Sequence, residues 1–392
     1  MKIRILMVID CYVPYWGGAE SQMTQLASRL SASGCEITVL TRRWDKNLPR
    51  RDSAFGFPVF RVGMPGRSIW ATASYILELF IFALKKRKTF DIIHTHGAAA
   101  LGAVGRVMAV LSGKKNVAKV SSSLRIPQLQ KKPWGGIVLK IFSRSAAITG
   151  LSEQIRQQLL EIGTPPDRIK KLYNGVDTER FKPLTGEEKG QLRKRFNFSP
   201  ADLIFLYTGR LVEGKGLEDI IAVWPDILSM HPGAKLILVG SGKCGGTGYR
   251  KDSVEEKLKK NVSDKRLPNV FFAGDQEHPE LYYQIADIFI FLSRSEGVSN
   301  VLLEAMASGL CIVASDIGGN RELITHNQDG ILVHEGDYKT LYKIIFLISH
   351  DEKQQHTLGS QARWRAKELF DLSRVAKSYY QIYLSLVNFP KK

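Results

Sequence analysis

Short apolar runs rich in Val, Ile and Phe alternate along this chain with longer stretches whose apolar residues recur at helical spacing. Ile3–Ile9 is the first run, and the stretch after it sets Met23, Leu26, Ala27 and Leu30 on one helical face. Glu36–Thr41 and Val59–Val62 read as strands, Ile69–Lys88 as a helix, Asp91–His94 as a strand, Ala98–Ser112 as a helix and Val117–Ser121 as a strand. The rhythm restarts beyond Pro200. Leu203–Thr208, Lys235–Val239, Val270–Phe272, Asp287–Leu292 and Cys311–Ala314 each read as a strand followed by turn residues and a helical stretch. Such alternation predicts parallel βαβ units in doubly wound sheets. The chain is therefore expected to be an α/β protein of two Rossmann-like domains, residues 1–180 and 181–365, joined near Asn174–Asp177 and Lys182–Pro183. The remaining stretch, 366–392, is expected to be a helix crossing back to the first domain.

Ligands of open α/β sheets bind beyond the carboxyl ends of strands, and the candidate chemistry lies there. After Asp287–Leu292 comes a turn with Ser295, Glu296 and Gly297, and then a helix opening near Asn300 that carries Glu304. A glycine lets backbone approach a ligand, and the first amides of a helix, here Val298, Ser299, Asn300 and Val301, suit a phosphate or a polar sugar. Two carboxylates accept hydroxyl protons and suit a polyhydroxylated ligand. The plain alternative is an amphipathic helix after a strand.

Three other stretches share this position. Pro14–Glu20 has consecutive glycines, Gly17 and Gly18, at a helix start, open to a phosphate or sugar or simply a tight turn. Asp91–Gly97 carries His94 and His96, which share a strand face if the strand runs that far. Either can be a satisfied strand-end histidine, and the sequence supplies no further metal ligands around them. Thr208–Gly216 sets Arg210 and Lys215 among Gly209, Gly214 and Gly216. Paired cations of this kind stabilise a departing diphosphate, whereas the plain alternative is a solvated basic loop. The chain has no Asp-x-Asp, so no metal clamp is indicated.

Taken with the surrounding Asn300, Leu302–Leu303 and Ala305–Met306–Ala307, the Glu296-x7-Glu304 pair resembles the signature of retaining nucleotide-sugar glycosyltransferases with the GT-B fold, more narrowly of glycosyltransferase family four (glycosyl transferases group 1). Family order is kept from the first strand to about residue 349, through Gly240–Gly242, Asn269–Asp275 (with Gly274), Gly318–Glu322 and Asp329–Val333. The resemblance implies two Rossmann-like domains facing each other across a cleft, and transfer of a sugar from a nucleoside diphosphate to a hydroxyl with retention. It implies that Arg210 and Lys215 hold the diphosphate, Glu304 the ribose and Glu296 the donor sugar, with His96 beside the reacting carbon and Gly17–Gly18 facing donor phosphates or acceptor. Where the family often carries a second histidine, this chain reads Lys119–Leu124, so that contact is not carried over.

Charge adds one element. The net charge is +18, and residues 1–180 hold 28 Lys and Arg against 12 Asp and Glu, a net of +16. The basic first half implies an anionic partner. Ile69–Leu84 is apolar, too short and too charged at Glu78 to be a span, and is followed directly by Lys85–Lys86–Arg87–Lys88. With Gln130–Lys140 it suggests docking on an anionic membrane surface and a lipid-linked acceptor, the alternative being two core-facing helices with a basic end. The four cysteines are scattered, and no signal peptide is legible, which fits a cytoplasmic, peripheral enzyme of polysaccharide precursor assembly. No cofactor or metal is expected beyond the UDP- or GDP-linked donor. Two other classes are a GT-B sugar-nucleotide epimerase and a basic nucleic-acid binder; the second lacks a basic stripe interleaved with aromatics.

Overall fold

In a computed structural model, which describes residues 2–97, 99–122, 125–242 and 254–387, the chain divides into two compact units. Ala98, Ser123, Leu124 and Cys244, all in stretches singled out above, lie outside the described residues. The first unit takes the chain up to Gly175 and again from Leu372. Its strands are β1 Arg4–Ile9, β2 Glu36–Arg42, β3 Arg51–Ala54, β4 Phe57–Val62, β5 Ile92–Gly97, β6 Lys115–Val120, β7 Ala147–Gly150 and β8 Ile169–Lys171. They lie in the order β3-β4-β2-β1-β5-β6-β7-β8, parallel except for the β3–β4 pair.

Alternation along the strands builds two cores. Ile5, Met7 and Ile9 share a face with Val39, Ile92 and Val117. That face is covered by Met23, Leu26, Ala27 and Leu30 of the helix Gly18–Ala32 and by Val375, Ala376, Tyr379 and Tyr383 of the helix Leu372–Leu386. Leu6, Val8, Leu40 and Ile93 point the other way, under the helices Ile69–Lys85 and Ala99–Ser112. Each fully buried aliphatic side chain stabilises by about 1.5–3 kcal/mol.

The helix Ile69–Lys85 turns one narrow stripe inward. Ala71, Tyr75, Leu79 and Ala83 are buried, one helical turn apart. Ile69, Trp70, Leu77, Ile81 and Leu84 are exposed, Ile69 at 79% and Trp70 at 75%. No helix among the described residues is long and apolar enough to cross a membrane.

The second unit holds the described residues between Val176 and Asp371. Its strands are β9 Ile204–Thr208, β10 Lys235–Val239, β11 Val270–Gly274, β12 Ile288–Phe291, β13 Cys311–Ser315 and β14 Ile331–Val333, in the order β11-β10-β9-β12-β13-β14. Every residue of β9, β12 and β13 is buried, as expected for parallel strands covered on both faces. An ionic hub fixes their amino ends. Asp287 accepts from Lys189 Nζ at 2.7 Å, Arg193 Nη2 at 2.6 Å and the Ile204 amide at 2.8 Å. Arg193, 5% exposed, also donates to the carbonyls of Ile285, Pro200 and Asp202.

Arg193→Ala removes one of the two cations on Asp287 and leaves the carbonyls of Ile285, Pro200 and Asp202 without this donor. Removing one partner of such a network costs about 3–5 kcal/mol. Calorimetry should show a marked fall in the melting temperature of the second unit; an unchanged transition would contradict the hub.

Candidate functional site

The site residues of the second unit come from loops at the carboxyl ends of its strands. The loop after β9 leaves through Gly209, whose amide bonds the Val239 carbonyl at 3.0 Å, and Leu211 bonds Ser241 O at 3.0 Å. Gly240 in turn bonds Gly274 O at 2.8 Å, so the turns after β9, β10 and β11 are stitched by backbone. Further on, the Arg294 amide reaches Gly214 O at 2.8 Å, joining the β9 loop to the turn after β12.

Two glycines allow this approach. Gly216, at φ 68°, precedes the helix Leu217–Met230, and a Cβ there would lie 2.1 Å from Leu292 O. A Cβ on Gly319 would sit 1.7 Å from Gly297 O. The turn that carries Glu296 and Gly297 is therefore clamped from two sides by backbone.

Within this frame Lys215 Nζ is hydrogen-bonded to Glu296 Oε1, and both side chains are 16% exposed. Ser293 Oγ donates to the same oxygen at 2.9 Å. Arg210 is exposed, and its carbonyl accepts from Tyr207 Oη at 3.1 Å. Val298 and Ser299 are buried, and the helix Asn300–Ala307 starts at Ser299 without a side-chain cap.

Glu304 sits on that helix, partly exposed as a residue but with its carboxyl packed round by protein. That burial raises its pKa to about 7, against the opposing effect of its hydrogen bond with Tyr283. Tyr283 Oη donates to Glu304 Oε2 at 2.8 Å and is itself bonded to Thr208 Oγ1. The second unit thus brings Gly209, Arg210, Lys215, Gly274, Glu296, Gly297, Val298, Ser299, Asn300, Val301 and Glu304 to one edge of its sheet. Ser293, Tyr283 and Thr208, which orient the two glutamates, were not among the sequence candidates. No spacing motif points to them: Tyr283 and Thr208 meet Glu304 only after folding, and Ser293, three residues before Glu296, is an ordinary turn residue in sequence.

Gly17, Gly18 and His96 belong to the first unit. Gly17 is extended and caps the helix Gly18–Ala32, its carbonyl accepting from the Ser21 amide at 3.0 Å. β5 runs as far as Gly97, so His94 and His96 do share a face, with ring centroids 4.0 Å apart. His94 Nδ1 pairs with Tyr383 Oη at 2.7 Å. Burial first, then His94 and Lys119, holds His96 neutral, its pKa well below the usual histidine range.

Residues 16–180 match the model for Glycosyltransferase Family 4, and residues 188–365 match that for Glycosyl transferases group 1. The N-acetyl-alpha-D-glucosaminyl L-malate synthase of Bacillus anthracis is 25% identical over 99% of this chain and 98% of its own length. A GDP-mannose-dependent monoacylated alpha-(1-6)-phosphatidylinositol monomannoside mannosyltransferase of Corynebacterium glutamicum is 30% identical over 57% of this chain and 58% of its own. Among solved structures, Anabaena HepE in complex with UDP superposes with a TM-score of 0.77 at 20% identity, covering 98% of this chain and 100% of that one. The sucrose-phosphate synthase of Thermosynechococcus elongatus does so with a TM-score of 0.77 at 22% identity, over 98% and 99%. These structures share the two-domain α/β arrangement of parallel sheets, and the two family models together span most of the chain. The chain belongs to the group 1 glycosyltransferases of family four and has the GT-B fold.

Proposed function

We propose that this glycosyltransferase moves a sugar from a UDP- or GDP-linked donor to a hydroxyl acceptor with retention at the transferred carbon, without a metal. The observation that carries the reading is the convergence of Lys215, Glu296 and Glu304 on one strand-end edge of the second unit. Lys215 and Arg210 hold the diphosphate, and the ammonium of Lys215 exchanges its bond with Glu296 for phosphate oxygen when the donor arrives. Glu296, released but still held by Ser293, accepts from hydroxyls of the donor sugar, and Glu304 accepts from the ribose. The helix-start amides from Val298 to Val301 and the Gly209 and Gly274 turns line the donor.

In the transfer step the acceptor oxygen bonds to the anomeric carbon as the carbon–phosphate oxygen bond breaks. The acceptor proton passes to the leaving phosphate on the same face, and the two cations take up the charge that develops there. Gly17 and Gly18 border the phosphates or acceptor, and His96, neutral, lies beside the reacting carbon.

The acceptor is lipid-linked in this reading, and the enzyme is peripheral on the inner face of the cell membrane. Three helices packed in succession on the first unit, Ile69–Lys85, Ala99–Ser112 and Gly135–Phe142, support it. They expose Trp70, Leu77, Ile81 and Leu84, then Val110 and Leu111, then Ile137 beside Trp134. Lys85, Lys86, Arg87, Lys88, Lys131, Lys132 and Lys140 are exposed around them.

Lys215→Ala should lower turnover about 10²–10³-fold at saturating donor with the fold intact; near-native turnover would overturn its role. Because the Glu304 carboxyl titrates near 7, it is protonated below that pH and accepts poorly from ribose hydroxyls. Donor affinity, read by titration calorimetry, should therefore fall as pH drops from about 8 to about 6, and Glu304→Gln should flatten that dependence. A pH-independent native affinity would remove Glu304 from the donor site. The protein should sediment with anionic but not neutral vesicles, less so at high salt and less again with Lys85, Lys86, Arg87 and Lys88 changed to Gln, each basic residue contributing about 1 kcal/mol. Equal sedimentation with both vesicles would refute the electrostatic docking.

A further inference from the structure

We propose that Lys119 and His96 form a seat in the first unit for an anionic group, phosphate or carboxylate, carried by the acceptor. This rests on the transferase reading above. The register pairs Ile9 with His96, His96 with Lys119 and Lys119 with Thr149, one row across β1, β5, β6 and β7 at their carboxyl ends. The pleat turns His96 and Lys119 to the face shared by Ile92 and Val117, beneath the helix Leu372–Leu386.

The neighbours in this row are already engaged. Thr149 Oγ1 is bonded to Tyr379 Oη at 3.0 Å, and Tyr383 Oη to His94 Nδ1 at 2.7 Å. Three groups are left over: His94 Nε2, which is buried without a hydrogen-bond partner, His96 and Lys119. His96 is 3% exposed, and its Nε2 is buried without a hydrogen-bond partner. Lys119 is 6% exposed, and among the described residues no carboxylate pairs with its ammonium. Its burial brings the pKa down to about 8, so it stays largely charged at neutral pH.

A buried cation without a counter-charge is costly, and it persists where a ligand supplies that charge. Lys119 influences both histidine rings electrostatically, so ammonium and imidazole lie close together. One anionic oxygen set between them satisfies the ammonium and takes a proton-bearing Nε2 as donor. Neither an apolar nor a cationic group offers that pairing. The position, at strand carboxyl ends of the basic half, is where an α/β sheet receives ligands.

The test uses titration calorimetry on the full chain carrying Lys215→Ala, which weakens the phosphate site of the second unit. Inorganic phosphate and malonate are the two probes, and the tighter of them identifies the group. Adding Lys119→Met should weaken the tighter anion by about tenfold or more. On the native background the same substitution should leave nucleotide-sugar affinity unchanged and raise the melting temperature, since an unpaired cation is removed. Should Lys119→Met fail to fold, Lys119→Gln carries the same comparison. Anion affinity unaffected by the substitution, or no binding of either probe before it, overturns the seat. Donor affinity, measured separately, then tells whether the transferase reading survives.

Discussion

Backbone against backbone is the constraint on which the second unit's chemistry depends. Phosphate and sugar ligands need donors held at fixed separations, and side chains on loops hold them poorly. Here the loops after β9, β10, β11 and β12 are joined through amides and carbonyls, and the segment after β13 comes directly against the β12 turn at Gly319. At Gly216 and Gly319 even a single carbon would collide with the neighbouring carbonyl. The turn that bears Glu296 thus inherits the rigidity of the sheet, and Lys215 and Ser293 need only aim its carboxylate.

The two glutamates sit in different electrical settings. Glu296 has a cation and a hydroxyl on one oxygen, so its charge is compensated before any ligand arrives. Glu304 has only the phenol of Tyr283, at the end of a chain that continues to Thr208. Burial outweighs that hydrogen bond and the opposing charge of Arg180, and raises its pKa to about 7. One carboxylate is therefore compensated by its own partners, while the other responds to the proton concentration around it. In the first unit His94 is engaged by Tyr383 through Nδ1, and both His94 and His96 keep an unpartnered Nε2.

Most of the strand and helix pattern was legible because central parallel strands are continuous apolar runs and helix starts follow glycine-bearing turns. The loop residues that the second unit gathers at its strand ends were legible for a related reason: consecutive loop residues leave a local record. Strands β3, β7, β8 and β14 were not read, being short pieces whose place is set by neighbours rather than by their own residues. The inward face of Ile69–Lys85 is not legible in the sequence because apolar residues lie on most sides of that helix. Packing chose the stripe with small Ala71 and Ala83, which lets the helix approach the sheet, and left the larger residues outside. Tyr283 and Thr208 escaped notice because their partnership with Glu304 exists only after folding.

The chain leaves the first unit at Gly175 and returns to it at Leu372, bringing Val375, Ala376, Tyr379 and Tyr383 onto the face of β1, β5 and β6. During synthesis this face waits for nearly two hundred residues of other structure to emerge. Met23 and Leu26 have only half their cover in that interval, and His94 has no hydroxyl to meet. The described residues of the second unit follow one another in the chain from Val176 to Asp371, so that unit has no such delay. The last helix is thus a late-arriving keystone: the half of the molecule that is translated first is the half that is finished last.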